Sequence, residues 1–252
     1  LGKFNKLMKK VIFAQPWGGL GDNLSFSTLP ERYNEIGVEF YVSNQNTIRN
    51  NEIYDLVWGQ NPFVKGVINE SPNIGSEINN VYWRNVNKLN GDYIIEDIET
   101  AHGFTPKNKS PKIYYKPKNI ELLKDKKVIN LSSISLKYDN DKIKDFLLKN
   151  NVITEESILL KYKNNEGINI NDNYHNNRHN IYNIPLNNIF EVKDIFHLCD
   201  IINSCEEIVT LHSGSSALTS ALSEGKTNKC LTVSLKRCEK SHIYDNIKYI
   251  FL

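Results

Sequence analysis

The chain has 252 residues, 40% hydrophobic and 24% charged, with a formal net charge of +2. That length supports one large or two small domains with real cores, and no apolar run approaches the roughly 20 residues needed to span a bilayer. The near-balanced charge excludes nucleic acid as an expected partner and leaves at most peripheral membrane contact.

Met8 is the only methionine, and "MKKVIFAQPW" reads as a natural start followed at once by a strand. Leu1 to Leu7 then reads as an upstream extension, the product of an alternative start or a non-native remnant, and is too short for a signal peptide. Val11 to Ala14 is a buried strand, and Leu24 to Ile36 a helix that turns Leu29, Tyr33 and Ile36 inward. Val38 to Val42 is the next strand. Shorter units follow through Trp58 and Val64 to Ile68, then an amphipathic stretch from Ile78 to Leu89. Near Thr105 the composition changes to "TPKNKSPKIYYKPKN", rich in Pro and Lys, which reads as a linker. Beyond it the alternation restarts with strand Lys127 to Leu131, helix Asp141 to Leu148 and strand Ile158 to Tyr162. The polar, Asn-rich stretch Asn164 to Asn180 reads as a loop. Strand Asn180 to Ile184, helix Asp194 to Asn203, strand Glu207 to Leu211, a helix from Ser215 onward and strand Leu231 to Leu235 complete the series. The expected class is α/β, with two Rossmann-like domains whose parallel sheets face each other across a cleft. The expected boundaries are residues 1–104, a linker at 105–125, and 126–252.

Two strand-to-helix turns stand out. The first strand runs into "QPWGGLGDNL". A dinucleotide fingerprint would need a third glycine where this sequence has Leu24, and no Gly-Lys-Ser/Thr follows as in a P-loop. Gly18, Gly19 and Gly21 let backbone approach a ligand, and Asp22 then either caps a helix or works at a site. The second turn, in "VTLHSGSSALTSAL", places His212, Ser213, Gly214, Ser215 and Ser216 between a buried strand and a helix. Free N–H groups and the positive end of a helix dipole suit an anion there, phosphate above all. An ordinary serine N-cap is the alternative. The closing glycine of a hydrolase elbow is absent.

These blocks resemble the heptosyltransferases, glycosyltransferase family nine, which are inverting enzymes of the GT-B fold. "GLGDNLSFSTLPERYNEIGVEFYVS" is similar to the family's N-terminal block, and "IIEDIETAHGF" to the block closing its first domain. "VINLSSISLKY" looks like the first strand and loop of the second domain, where a hydroxyl and a lysine five positions on contact donor phosphate; those roles fall on Ser132 and Lys137. "DIFHLCDIINSCEEIVTLHSGSSALTSAL" is similar to the best-marked region of the family. Two positions depart from its pattern: His212 replaces the usual acidic residue, and Ala217 a frequent histidine. The chain is also shorter than typical members, a difference expected in loops and in the C-terminal helices that cross back to the first domain.

The resemblance implies transfer of a sugar from a nucleotide-sugar donor to a saccharide, lipopolysaccharide or glycan acceptor in polysaccharide biosynthesis. It puts the base at Asp22 on the acceptor side, with Gly18, Gly19 and Gly21 as the adjoining loop. It puts the donor diphosphate against Ser132, Lys137 and the turn His212 to Ser216. A carboxylate is a weak base in water, so burial must raise its pKa. No cofactor and no metal are expected. A degenerate nucleotide-sugar-binding or scaffold protein without turnover is the alternative, and a sugar-nucleotide epimerase is disfavoured by the failed dinucleotide motif.

Other candidates carry less. His175 and His179 have helical metal spacing but no intervening Glu, and Arg178 in the same stretch reads as a solvated charge. His102, near the end of the first domain, could reach the cleft, but a solvated loop histidine is the default reading. Trp17 and Trp58 could stack on a sugar, yet aromatic residues beside strands are more often core. The four cysteines, Cys199, Cys205, Cys230 and Cys238, lack zinc-site spacing. They read as buried free thiols of a reducing, cytoplasmic setting.

Overall fold

Segments of four or five residues, most of them rich in apolar side chains, build the described strands of this protein. Its computed structural model describes residues 9–74, 93–131, 140–154, 156–162, 188–223, 229–234 and 243–251. The strands form two separate sheets, and the chain divides into two compact units. One comprises Leu1–Tyr115 with Cys238–Asp245, the other Lys116–Arg237 with Asn246–Leu252. The expected helix Ile78 to Leu89, strand Asn180 to Ile184 and loop Asn164 to Asn180 fall outside the described residues, as do Ser132, Lys137, His175, Arg178, His179 and Cys238.

In the first unit β1 (Lys10–Phe13), β2 (Glu39–Ser43) and β3 (Val64–Ile68) lie parallel in the order β1-β2-β3. Phe13 is the hub of the core, with ring centroids 5.2 Å from Phe26, 5.7 Å from Phe40 and 5.3 Å from Trp58. Offset, tilted rings at this spacing suit the aromatic quadrupole. Trp58 is wholly buried and its Nε1 donates to Asn23 Oδ1 at 2.9 Å, so it is a core residue. It lies in the wider turn Asp55–Gly59 that continues α3 (Asn51–Tyr54).

The single helix expected over Leu24 to Ile36 is two: α1 (Leu20–Ser25) and α2 (Leu29–Glu35). Pro30 is the cause. It has no N–H for the carbonyl of Phe26, which instead accepts from Leu29 N in a tighter turn at 3.1 Å. Leu29 and Tyr33 are buried as expected, but Ile36 is 45% exposed, because the helix ends at Glu35 and Ile36 only caps it.

The expected linker is also reassigned in its first part. On α4 (Ile94–Ala101) the carboxylate of Glu99 is fully buried and accepts from Lys107 N at 2.7 Å and Asn108 Nδ2 at 2.5 Å. Arg32 Nη2 donates to Thr105 O at 2.8 Å, and Lys112 N to Ser27 Oγ at 2.8 Å. A buried carboxylate must be paired and hydrogen-bonded, and here residues 105–112 supply the donors. That stretch is strapped to the first unit rather than bridging away from it.

The second unit carries six parallel strands: β4 (Lys127–Asn130), β5 (Ile158–Tyr162), β6 (Ile189–Val192), β7 (Glu207–Leu211), β8 (Cys230–Ser234) and β9 (Ile247–Phe251). Their order is β6-β5-β4-β7-β8-β9. Counted from β4 as the first, this is 3-2-1-4-5-6, the order of a doubly wound nucleotide-binding sheet. Among the described residues the helices that connect strands are α5 (Asn140–Lys149), α6 (Ile195–Ser204) and α7 (Gly214–Leu222). Ile129, Leu147, Val209 and Val233 are wholly buried together in its core. Asp194 caps α6 by accepting from His197 N at 2.7 Å. Cys199, Cys205 and Cys230 are buried and free, and burial pushes the Cys205 thiol up to about 11, so it stays protonated and unreactive. No helix among the described residues is long and apolar enough to cross a membrane.

Candidate functional site

In an open parallel sheet, ligands bind beyond the carboxyl ends of the strands, where the order reverses. In the second unit that point lies between β4 and β7, which pair in register from Lys127↔Glu207 to Asn130↔Thr210. The chain leaves β7 through His212 and enters α7 at Gly214. The hydroxyl-rich turn therefore stands at the switch point, and the segment that follows β4 in the chain carries Ser132 and Lys137.

Ser213 caps α7, its Oγ accepting from Ser215 N at 3.3 Å, while Ser216 Oγ accepts from Ser213 N at 3.4 Å and donates to Ser213 O at 2.7 Å. The serines close a reciprocal cap, yet its two N–H bonds lie at or beyond the long end of the normal range and are easily exchanged for a stronger acceptor. Gly214 N–H takes no part in the cap. No acidic residue sits in the first turn of α7 to repel an anion.

His212 is held by packing. Its N–H donates to Val233 O at 3.1 Å, which extends the β7–β8 ladder, and its largely buried ring meets Tyr249 of β9 edge-on at 6.1 Å. Asn130, a residue the sequence reading passed over, joins the strand ends. From the last position of β4 its Nδ2 donates to Ser215 Oγ at 3.0 Å and to Tyr162 Oη, at the end of β5, at 2.9 Å. An amide closing an otherwise apolar buried strand, "KVIN", is the signal that could have found it.

In the first unit the glycine turn follows β1. A Cβ on Gly18 would stand 3.1 Å from Arg49 N, and one on Gly19 only 2.6 Å from Asp22 Oδ2. A side chain at either position would make its neighbour shift, the Arg49 backbone for Gly18 and the Asp22 carboxylate for Gly19. Asp22 is the third residue of α1, and its Oδ2 accepts from Gly19 N at 3.1 Å. Burial raises its pKa above the ordinary carboxylate value, against the opposing pull of Gly19 N–H and the positive charge of Arg49. The carboxylate caps the turn locally and is more basic than one in water.

Beneath this turn lies a buried amide cluster that sequence reading also passed over. Gln15 Nε2 donates to Asn23 Oδ1 at 3.3 Å and to Thr47 O at 3.1 Å, and Asn23 Nδ2 donates to Gly19 O at 2.9 Å. Isolated Gln and Asn carry no pattern, so nothing in the sequence marks them. His102 is not a solvated loop residue. It caps α4, is buried, and its Nδ1 lies 3.0 Å from Tyr33 Oη. Burial pushes its pKa down to about 3, which keeps it neutral. Among the described residues, no group of three or more His, Cys, Asp or Glu side chains could hold a metal ion.

Comparison with solved structures matches the fold of this chain to that of glycosyltransferases. TibC, an iron-containing dodecameric glycosyltransferase from enterotoxigenic E. coli H10407, superposes with a TM-score of 0.56 at 13% identity. The match covers 90% of this chain and 58% of TibC. The chain has the fold of the heptosyltransferases. A family 9 glycosyltransferase from Veillonella parvula DSM 2008 gives a TM-score of 0.57 at 10% identity, over 97% of this chain and 85% of that one. E. coli heptosyltransferase WaaC with ADP gives 0.53 at 10% identity, over 96% and 93% respectively. The chain thus spans less than two thirds of TibC but most of WaaC. No protein-family model and no curated protein matches the sequence.

Proposed function

We propose that this chain is a cytoplasmic glycosyltransferase of polysaccharide biosynthesis. It moves a sugar from a nucleotide-sugar donor to a saccharide, lipopolysaccharide or glycan acceptor, with inversion and without a metal. The observation that carries the reading is the pairing of strand order with chemistry. A 3-2-1-4-5-6 sheet puts the His212 to Ser216 turn at its switch point, on a fold shared with WaaC, solved with ADP, and TibC, solved with ADP-D-β-D-heptose.

In the proposed reaction the acceptor oxygen attacks the anomeric carbon from the face opposite the diphosphate. As the new carbon–oxygen bond forms, the bond to the diphosphate oxygen breaks and the nucleoside diphosphate departs with the electron pair. Asp22 takes the acceptor proton, a role that typically supplies about 10²–10⁴-fold. Lys137, Ser132, Ser213, the N–H groups of Gly214 and Ser215 and the dipole of α7 offset the charge gathering on the leaving group, commonly the larger contribution. Ser215 N–H would exchange Ser213 Oγ for a phosphate oxygen.

A second reading, a nucleotide-sugar-binding or scaffold protein without turnover, is favoured by one feature: the serine cap is complete on its own. Two measurements separate the readings. Thermal shift against a panel of nucleoside diphosphates should find one that raises Tm, and the matching nucleotide sugar should be hydrolysed. Binding without hydrolysis selects the scaffold, and no binding rejects both.

A further inference from the structure

We infer that Arg49 is a positioning residue for Asp22: the loop after β2 holds its guanidinium beside the Gly18-Gly19 turn, where it keeps the Asp22 carboxylate charged and able to accept a proton. This rests on the reading of Asp22 as the base.

The placement is built one hydrogen bond at a time. Gln15 N donates to Asn46 Oδ1 at 2.9 Å, Thr47 N to Gln15 O at 3.0 Å, and Arg49 N to Gly18 O at 3.0 Å. Asn50 then caps α3 by accepting from Ile53 N at 3.0 Å. Residues 46–50 are thereby fastened along residues 15–18, so Arg49 cannot drift from the turn. Above Gly19 the two charged groups share one space. The position a Cβ would take lies 2.6 Å from Asp22 Oδ2 and 3.9 Å from Arg49 Nη2.

The arrangement stops short of an ion pair. Among the described residues Asp22 and Arg49 make no direct salt bridge, and the bonded donor on Oδ2 is Gly19 N–H. A guanidinium in contact would occupy the carboxylate's lone pairs and depress its basicity. One set slightly back still favours the ionised form while an oxygen stays open to an incoming hydroxyl. The neighbouring elements bring other ionisable groups. Tyr244, from the returning segment, lies by Ser25 on α1; burial pushes its hydroxyl well above the ordinary range, so it stays neutral. From α4, which packs on α1, come Glu96, Asp97 and Glu99, the last committed to the 107–108 backbone. Arg49 is the cation that acts on Asp22.

The test reads Asp22 directly. In the isotope-labelled full chain, the Gly19 amide donates to Asp22 Oδ2, so its chemical shift follows the carboxylate's titration. Arg49→Gln should move the midpoint to higher pH, and Arg49→Lys should leave it between the variant and the wild type. Added sodium chloride should move the wild-type midpoint upward by screening the same attraction, which decides the matter even if Arg49→Gln does not fold. A midpoint indifferent to both substitutions, or to salt, overturns the inference. Turnover is not needed for this readout. A protein that titrates as expected yet hydrolyses no donor sinks the transferase reading and leaves the hold of Arg49 on Asp22 intact.

Discussion

Replacing His102 with Gln should remove part of the acid sensitivity of the first unit. Burial holds His102 neutral down to about pH 3, whereas an exposed histidine titrates near 6.5. Between those values the unfolded chain binds a proton that the folded chain refuses, so stability falls as pH falls. For one proton the slope approaches about 1.4 kcal/mol per pH unit. Acidification from about pH 6.5 to about pH 4.5 should therefore cost about 2 kcal/mol through His102 alone. The neutral ring has a further weakness: Nε2 is buried with no hydrogen-bond partner among the described residues. Gln can still meet Tyr33 Oη but cannot titrate. Urea unfolding of both proteins at several pH values, followed by tryptophan fluorescence, isolates the effect, because carboxylates contribute equally to each. All three tryptophans, Trp17, Trp58 and Trp83, lie within Leu1–Tyr115 and so report on the correct unit. Parallel pH dependence in the two proteins would refute the reasoning.

Glu99→Ala should cost about 1–3 kcal/mol, the range for leaving buried donors without their acceptor, since Arg32 Nε and the 107–108 donors lose the carboxylate while Arg32 keeps Glu35; denaturant midpoints check it, and a loss under about 1 kcal/mol would contradict the strap. Gly19→Ala should leave nucleoside diphosphate affinity unchanged while lowering turnover, because the new methyl would displace the Asp22 carboxylate. Lys137→Ala should weaken nucleoside diphosphate binding by about 1.5–3 kcal/mol, the worth of a charge-assisted hydrogen bond, and unchanged affinity in calorimetry would remove Lys137 from the site.

Much of the architecture was legible because buried strands announce themselves. β1, β2, β3, β4, β5, β7 and β8 are apolar runs ended by turns, and each falls within a residue or so of its expected place. β6 and β9 did not stand out. Both are outer strands of the sheet, with Ile189 58% and Phe251 42% exposed, so neither needs a continuous apolar run. The helix break at Pro30 was written in the sequence, but the Leu24, Leu29, Tyr33 periodicity outweighed it. Composition misled at Thr105 to Lys112: Pro and Lys suggested a free linker, and the partner that fixes it, Glu99, becomes visible only in space.

The candidate site was legible where local chemistry is dense and obscure where it is distributed. The Gly18-Gly19-Leu20-Gly21-Asp22 turn and the His212 to Ser216 turn stand out because glycines and hydroxyls gather between a strand and a helix. Arg49, Asn130 and Gln15 are single residues whose meaning comes from strand ends brought together by the parallel topology. His102 illustrates the opposite error. A histidine before Gly-Phe reads as loop, yet Tyr33 from α2 meets its ring edge-on and its Nδ1 through the hydroxyl.

Hydrolysis of the nucleotide-sugar donor by the wild type and by Asp22→Asn, with donor affinity measured alongside, tests the central claim most directly. Asn can keep the acceptor for Gly19 N–H, so the fold and Tm should hold, while the base is gone. The account predicts turnover by the wild type and a loss of roughly 10²-fold or more in the variant at nearly equal donor affinity. Near-wild-type turnover by a well-folded Asp22→Asn protein, or a wild type that binds donor and never cleaves it, would contradict it.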